Sequence, residues 1–122
     1  MKKVKKKANK QSIDVHIPVT MLSSSWKGDF DKLPANEVYE LIIDYPLDNP
    51  ARYKIKTGKN GMGLVALLGT IGKFYEKTYE DEDSSEDPRG RYGIYGHSID
   101  DLSLSGVNIN HTTKKITLDV DS

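Results

Sequence analysis

LVALLGTIGKFYEKTY, residues 64–79, is the stretch on which the fold turns. Placed at 100° per residue, Leu64, Leu67, Leu68, Ile71, Tyr75 and Tyr79 fall within one stripe roughly 120° wide. That spacing predicts an amphipathic helix with one face to bury. Gly69 and Gly72 lie just off the stripe, where each costs about 1 kcal/mol against Ala in a helix interior. They mark positions of close backbone packing. Glycine-rich Gly58–Gly63 breaks the chain before the helix. The acids after Tyr79 oppose the helix macrodipole, so the helix is expected to end near that residue.

Working outward, the flanks read as strands. Ile13, Val15, Ile17, Val19 and Met21 alternate with Asp14, His16, Pro18 and Thr20, the pattern of a half-buried strand. Pro18 cannot donate to a ladder, which places this strand at an edge. Residues 22–36 read as a loop pinned by Trp26 and Phe30. Tyr39, Leu41, Ile43 and Tyr45 share one face of a second strand over 38–45. A turn between Pro46 and Pro50 leads to Tyr53 and Ile55, which alternate with Arg52, Lys54 and Lys56, so the two strands form an antiparallel hairpin. Past the helix, Ser98-Ile99-Asp100-Asp101 reads as a capped turn with a capping box. Leu102 and Leu104 begin a fourth strand. Its apolar phase shifts at Gly106 to Val107 and Ile109, the mark of a bulge. His111–Lys114 form a turn, and Ile116, Leu118 and Val120 alternate along a last strand.

The order is β-β-β-α-β-β. One amphipathic helix over one face of a mainly antiparallel sheet of about five strands buries both apolar surfaces. The expected class is therefore α+β, compatible with a β-grasp-like or related α+β sandwich. The expected division is a disordered lysine-rich tail over residues 1–12 and a single domain over 13–122, a size usual for one domain.

Composition narrows the function. The chain has 122 residues, 18 Lys+Arg against 18 Asp+Glu, and no Cys. Without Cys there is no disulfide framework, no thiolate nucleophile and no Cys-based metal site. No apolar run reaches the ~18 residues of a membrane span. The lysine-rich start is not followed by an apolar core, so it does not read as a signal peptide. Neutrality conceals an asymmetry: Lys2, Lys3, Lys5, Lys6, Lys7 and Lys10 occur in the first ten residues with no acid among them. Such a run contacts a polyanion such as nucleic acid or an anionic membrane, serves as an import signal, solubilises the chain, or folds back on the acidic remainder. It holds no aromatics, so phosphate contact is expected there rather than base stacking. Glu80, Asp81, Glu82, Asp83, Glu86 and Asp87 form a second block, read as a solvated loop. Its alternatives are a strip for a basic partner, a loose cation loop or a phosphorylated site at Ser84.

Candidate chemistry is sparse. His97 precedes Asp100 and Asp101, and Glu76 and Glu80 lie a turn apart on the helix. Those groups suit a general base or a metal ligand set; the alternative is a structural His bonded to the backbone of a tight turn. Gly58–Gly63 resembles a flexible connection more than an anion cradle, since the phosphate-loop spacing is absent. Tyr92 and Tyr95, in a Gly-rich segment, suit either a binding surface or a packed loop.

Four segments carry a resemblance: Tyr45-Pro46-Leu47-Asp48-Asn49-Pro50; the helix end Tyr75-Glu76-Lys77-Thr78-Tyr79; the run Tyr92-Gly93-Ile94-Tyr95-Gly96-His97-Ser98-Ile99-Asp100-Asp101-Leu102; and the ending Leu118-Asp119-Val120-Asp121-Ser122. Over about residues 40–122 the chain resembles small uncharacterised proteins of large DNA viruses of the mimivirus type. The resemblance implies an intracellular setting (host cytoplasm, viral factory or virion) and no catalytic residues.

The expected function is a non-enzymatic binding or adaptor module. An unidentified protein partner meets Tyr92, Tyr95, His97, Asp100 and Asp101, while the basic tail contacts nucleic acid; no cofactor is expected. The alternatives are a small metal-dependent hydrolase using His97 with Asp100, Asp101 or Glu76, and a sponge for a small anion at Gly58–Gly63 with Arg52 or Lys59 as counter-charge.

Overall fold

The computed structural model describes residues 10–22, 33–83, 92–94 and 98–122. Its elements are β1 (Lys10–Pro18), β2 (Val38–Ile43), β3 (Ala51–Lys56), α1 (Leu64–Asp83), β4 (Ser103–Asn110) and β5 (Lys115–Asp121), with 3-10 turns at Val19–Met21 and Ile99–Asp101. The class is α+β: one helix and a five-stranded sheet in the order β1-β4-β5-β2-β3. All neighbours are antiparallel except β5 and β2, which run parallel, with Leu41 opposite Ile116. Strands β2 to β5 thus form two hairpins joined through the helix, with their first and last strands side by side in the centre. This is the β-grasp order, and β1 extends it at the β4 edge.

Strand phase follows the apolar alternation. Tyr39, Leu41 and Ile43 of β2, Ala51 and Ile55 of β3, Leu104, Val107 and Ile109 of β4, and Ile116 and Leu118 of β5 are buried together. From α1 they meet Leu64, Leu67, Leu68, Ile71 and Tyr75. Tyr53 of β3 stacks on Phe74 of α1 with ring centroids 4.3 Å apart, an offset aromatic pair that fixes the helix on this face. The expected bulge is present: the β4–β5 register shifts between Leu104 and Gly106. A Cβ at Gly106 would lie 2.7 Å from Asp119 Oδ2. Gly72 is buried where a Cβ would stand 3.2 Å from Leu22 Cβ, the close approach its position in the helix suggested.

Several boundaries differ from the sequence reading. β1 begins at Lys10, so Lys10, Gln11 and Ser12, placed there with the tail, are strand residues paired with Asn110, Ile109 and Asn108. β1 does lie at an edge and ends on Pro18. The chain then turns, so Val19 is buried but Met21 is 51% exposed rather than inward. β2 stops at Ile43. Tyr45 belongs to the following turn, where its carbonyl accepts a hydrogen bond from the Tyr75 hydroxyl at 2.8 Å.

The helix does not end near Tyr79; it continues to Asp83. Two of its acids, Asp81 and Glu82, are anchored rather than loose. Lys77 Nζ lies 3.5 Å from Asp81 Oδ2 one turn on. The Glu82 carboxylate accepts from Tyr92 N–H at 2.7 Å and Ile94 N–H at 3.1 Å. These contacts outweigh the macrodipole penalty of roughly 0.3–1 kcal/mol for a charge at the wrong end. Thr78, buried within the helix, donates to Phe74 O at 2.8 Å and is bonded to the Tyr53 hydroxyl at 2.7 Å.

Candidate polyanion-binding face

α1 covers one face of the sheet, and among the described residues nothing packs over the other, which carries Lys10, Ser12, Arg52, Lys54, Lys115 and Thr117 exposed. Antiparallel pairing permits this, and the sequence meets it with mostly polar residues at alternate positions, Val38 and Ile42 of β2 excepted. Register aligns those residues into rows. One row crosses all five strands as Lys10, Asn110, Lys115, Glu40 and Lys54. The next contains Ser12, Asn108, Thr117, Ile42 and Arg52, and beyond it lie Asp14, Gly106 and Asp119. Side-chain bonds confirm that these groups share a face. Ser12 Oγ donates to Asn108 Oδ1 at 2.9 Å, Asn108 Nδ2 donates to Asp119 Oδ2 at 3.2 Å, and Arg52 Nη1 donates to Glu40 Oε1 at 3.3 Å.

The face is polarised. At the end where β5 begins stand Lys10, Lys115, Lys54 and, opposite Val38, Lys56. The acid among them, Glu40, faces Arg52 at 3.3 Å and Lys115 at 3.8 Å. Asp14, Asp119 and Asp121 occupy the other end. Between β1, β4 and β5 at the basic end lies an open groove of about 390 Å³, lined by Lys10, Ser12, Asn108, Asn110, Lys115 and Thr117 among others. Asn110 Oδ1 is occupied by the N–H groups of Thr112 and Thr113, each at 3.0 Å. Its amide hydrogens are left as donors at the groove. Beneath the same corner His111 bridges strands: its Nδ1 is 2.8 Å from the Tyr39 hydroxyl and its Nε2 is 3.1 Å from Gln11 Oε1.

Of the residues expected to contact a polyanion, Lys10 sits on this face, and Lys2, Lys3, Lys5, Lys6 and Lys7 lie outside the described residues. Lys115, Lys54, Asn110 and Asn108 were not singled out from sequence. Each is an ordinary exposed strand residue there, and only the pairing of five separate strands aligns them.

The expected partner-binding segment lies at the far end of α1. Tyr95 and His97 fall outside the described residues, as do Trp26, Phe30 and Ser84. Tyr92–Ile94 is clamped: besides the two bonds to Glu82, Tyr92 O accepts from Asn49 N–H at 2.9 Å and Gly93 O accepts from Asp48 N–H at 3.1 Å. Gly93 has φ +68° and abuts Asp48, where a Cβ would come within 2.9 Å, so glycine is required. Tyr92 is half-buried. Asp100 is exposed, and Asp101 accepts from Ser98 N–H at 3.3 Å within the expected capping box. Tyr79, Glu82, Asp83, Ile94, Ser98 and Ile99 line a hollow of about 430 Å³ here. Burial, with Asp101 and Tyr45 adding to it, pushes the Tyr79 hydroxyl up to about 12.

Among the described residues no three His, Cys, Asp or Glu side chains come together to hold a metal ion. At Gly58–Gly63 two of the backbone donors are used internally. Gly61 N–H donates to Gly58 O at 3.0 Å and Met62 N–H to Leu33 O at 3.2 Å. Gly61, at φ +78°, sits against the Leu33 carbonyl. Arg52, expected there as a counter-charge, lies instead on the open sheet face. Among the described residues no helix is long and apolar enough to cross a membrane. Comparison with protein-family models, curated proteins and solved structures yields no match.

Proposed function

We propose that this protein is a non-enzymatic binding module that holds nucleic acid through its phosphates. The lysine-rich run before β1 acts as the principal electrostatic contact. One observation supports this reading above the others: the run joins the domain at Lys10, at the basic end of the polarised open face. Lys10 is therefore both the last lysine of the run and a member of the basic row on the sheet. In the viral setting that the resemblance implies, the nucleic acid is genomic or messenger material in a factory or virion.

The hollow beside Tyr79 supports a second contact, with a protein. Its lining, apolar at Ile94 and Ile99 and acidic at Glu82 and Asp83, suits a basic, amphipathic segment of a partner. The hydrolase reading depends on His97 and has no geometric support in the placement of Asp100, Asp101 and Glu76, all of which are exposed.

The experiment is fluorescence anisotropy with a labelled oligonucleotide in 50 mM and 200 mM salt. It compares the full chain with a variant carrying Gln at Lys2, Lys3, Lys5, Lys6 and Lys7. Weakened binding and a flatter salt dependence in the variant are expected, since each lost phosphate contact removes ~0.7–0.9 from the slope of log K against log salt. Equal affinity and equal slope would show that the run does not hold nucleic acid.

A further inference from the structure

The groove on the open face differs from the lysine run in kind. It is a shaped site, with lysines carried on paired strands and amide and hydroxyl groups that hydrogen-bond beside them. Lys10 and Lys115 stand on strands two apart, so their backbones are separated by roughly 10 Å, with Asn110 between them. At about 390 Å³ the groove lies at the low end of the range that encloses a small molecule. That room suits one nucleotide-sized unit of a chain rather than the body of a duplex. Among the described residues the lining holds no Phe, Trp or Tyr, so it offers no base stacking, the usual means of gripping unpaired bases. What remains is Lys for charge and Asn, Ser and Thr for hydrogen bonds, the groups that contact phosphate and sugar and read no sequence.

Direction follows from the charge polarity. A polyanion lying along the strands would run from the lysine row into Asp119 and Asp121. One lying across them stays on the basic row, from Lys10 past Asn110 and Lys115 toward Lys54. Glu40 interrupts this row, but with Arg52 and Lys115 on either side its charge is countered locally.

From these observations we infer that the groove between β1, β4 and β5 is a sequence-independent site for a single sugar–phosphate strand, which crosses the sheet perpendicular to its β-strands. This rests on the nucleic-acid reading above and adds a site within the folded domain, separate from Lys2–Lys7.

The test uses the full chain, labelled single-stranded DNA 20-mers of two unrelated sequences, and the matching duplex. Lys10→Gln and Lys115→Gln together remove two contacts of the single strand, about 1.4 from the salt slope. The ratio of Kd at 200 mM to Kd at 50 mM salt is then expected to shrink about sevenfold, alike for both sequences. Lys77→Gln, on the helix side of the molecule, is expected to leave the ratio unchanged, and far-ultraviolet dichroism verifies that the variants are folded. If the double variant behaves as the parent while neutralising Lys2–Lys7 abolishes binding, the groove inference is wrong and the lysine-run reading stands. If neither change alters the slope, both are wrong. Tighter binding of the duplex than of the single strand overturns the assignment of a single strand.

Discussion

Glu82 is the residue whose role departs furthest from its appearance in sequence, and truncating it exposes the difference. Both carboxylate oxygens accept backbone N–H groups, from Tyr92 at 2.7 Å and from Ile94 at 3.1 Å, in a partly buried setting. A hydrogen bond to a charged group contributes roughly 1.5–3 kcal/mol, so two are worth about 3–6 kcal/mol before compensation. Water reaching the freed N–H groups recovers part of this. Removing a negative charge from the helix C-terminus returns about 0.3–1 kcal/mol more. Glu82→Ala is therefore expected to destabilise by about 2–4 kcal/mol. For a domain of this size that lowers Tm by about 8–16 °C. Glu80→Ala is the control: it removes an exposed charge from the same acidic block, shares the dipole gain and breaks neither bond. Its Tm is expected to move by no more than about 2 °C. Thermal unfolding followed by circular dichroism measures both, and amide hydrogen exchange at Tyr92 and Ile94 reports the anchor directly. If the two variants melt together and exchange at these amides is unchanged, the acidic block is a solvated strip and the anchoring argument fails.

Two other outcomes follow from the core. Leu68 is fully buried on the helix face, so Leu68→Ala is expected to cost ~2–5 kcal/mol in urea denaturation, whereas Val65→Ser, 53% exposed, is expected to fall within about 1 kcal/mol of the parent; equal losses would mean the wrong face has been assigned to the sheet. The Tyr75 hydroxyl is pushed up chiefly by burial, and Tyr79 up to about 12 for the same leading reason, from an ordinary value of 10.0. A folded-state value above the unfolded one gives stability that is complete below pH 10 and is lost as pH rises through 10 toward 12. Melts between pH 9 and 12 are expected to show a steep alkaline decline that Tyr75→Phe and Tyr79→Phe each make shallower; a decline unaltered by both variants would assign it to other groups.

In the function proposed above, the lysine run and the groove would form a two-part grip: the charge of the run draws phosphate in, whereas groups held on paired strands give the bound strand a direction. The polarity of the open face supplies that direction, because the same sheet that gathers lysines at one end presents Asp14, Asp119 and Asp121 at the other.

What the sequence determined by itself was local. The period of 3.6 in residues 64–79 placed the helix and its buried side, and the period of 2 placed five strands and their buried faces, Met21 and Tyr45 beyond the strand ends excepted, down to the phase shift at Gly106 that became a bulge. Pro18 marked an edge, and Ser98 with Asp101 marked a capped turn. These features depend on neighbours within a few residues, so their physics is written in consecutive positions. The misjudged features were those in which a distant partner decides. α1 outran Tyr79 because Glu82 meets N–H groups ten and twelve residues later. Thr78 entered the core because Tyr53 offers its hydroxyl a bond. The parallel contact of β2 with β5 and the row Lys10, Asn110, Lys115, Glu40 and Lys54 exist only once five separate strands choose their order and register. Alternation dictates which way each side chain points, but packing against one helix decides which strands lie side by side, and therefore which charges meet.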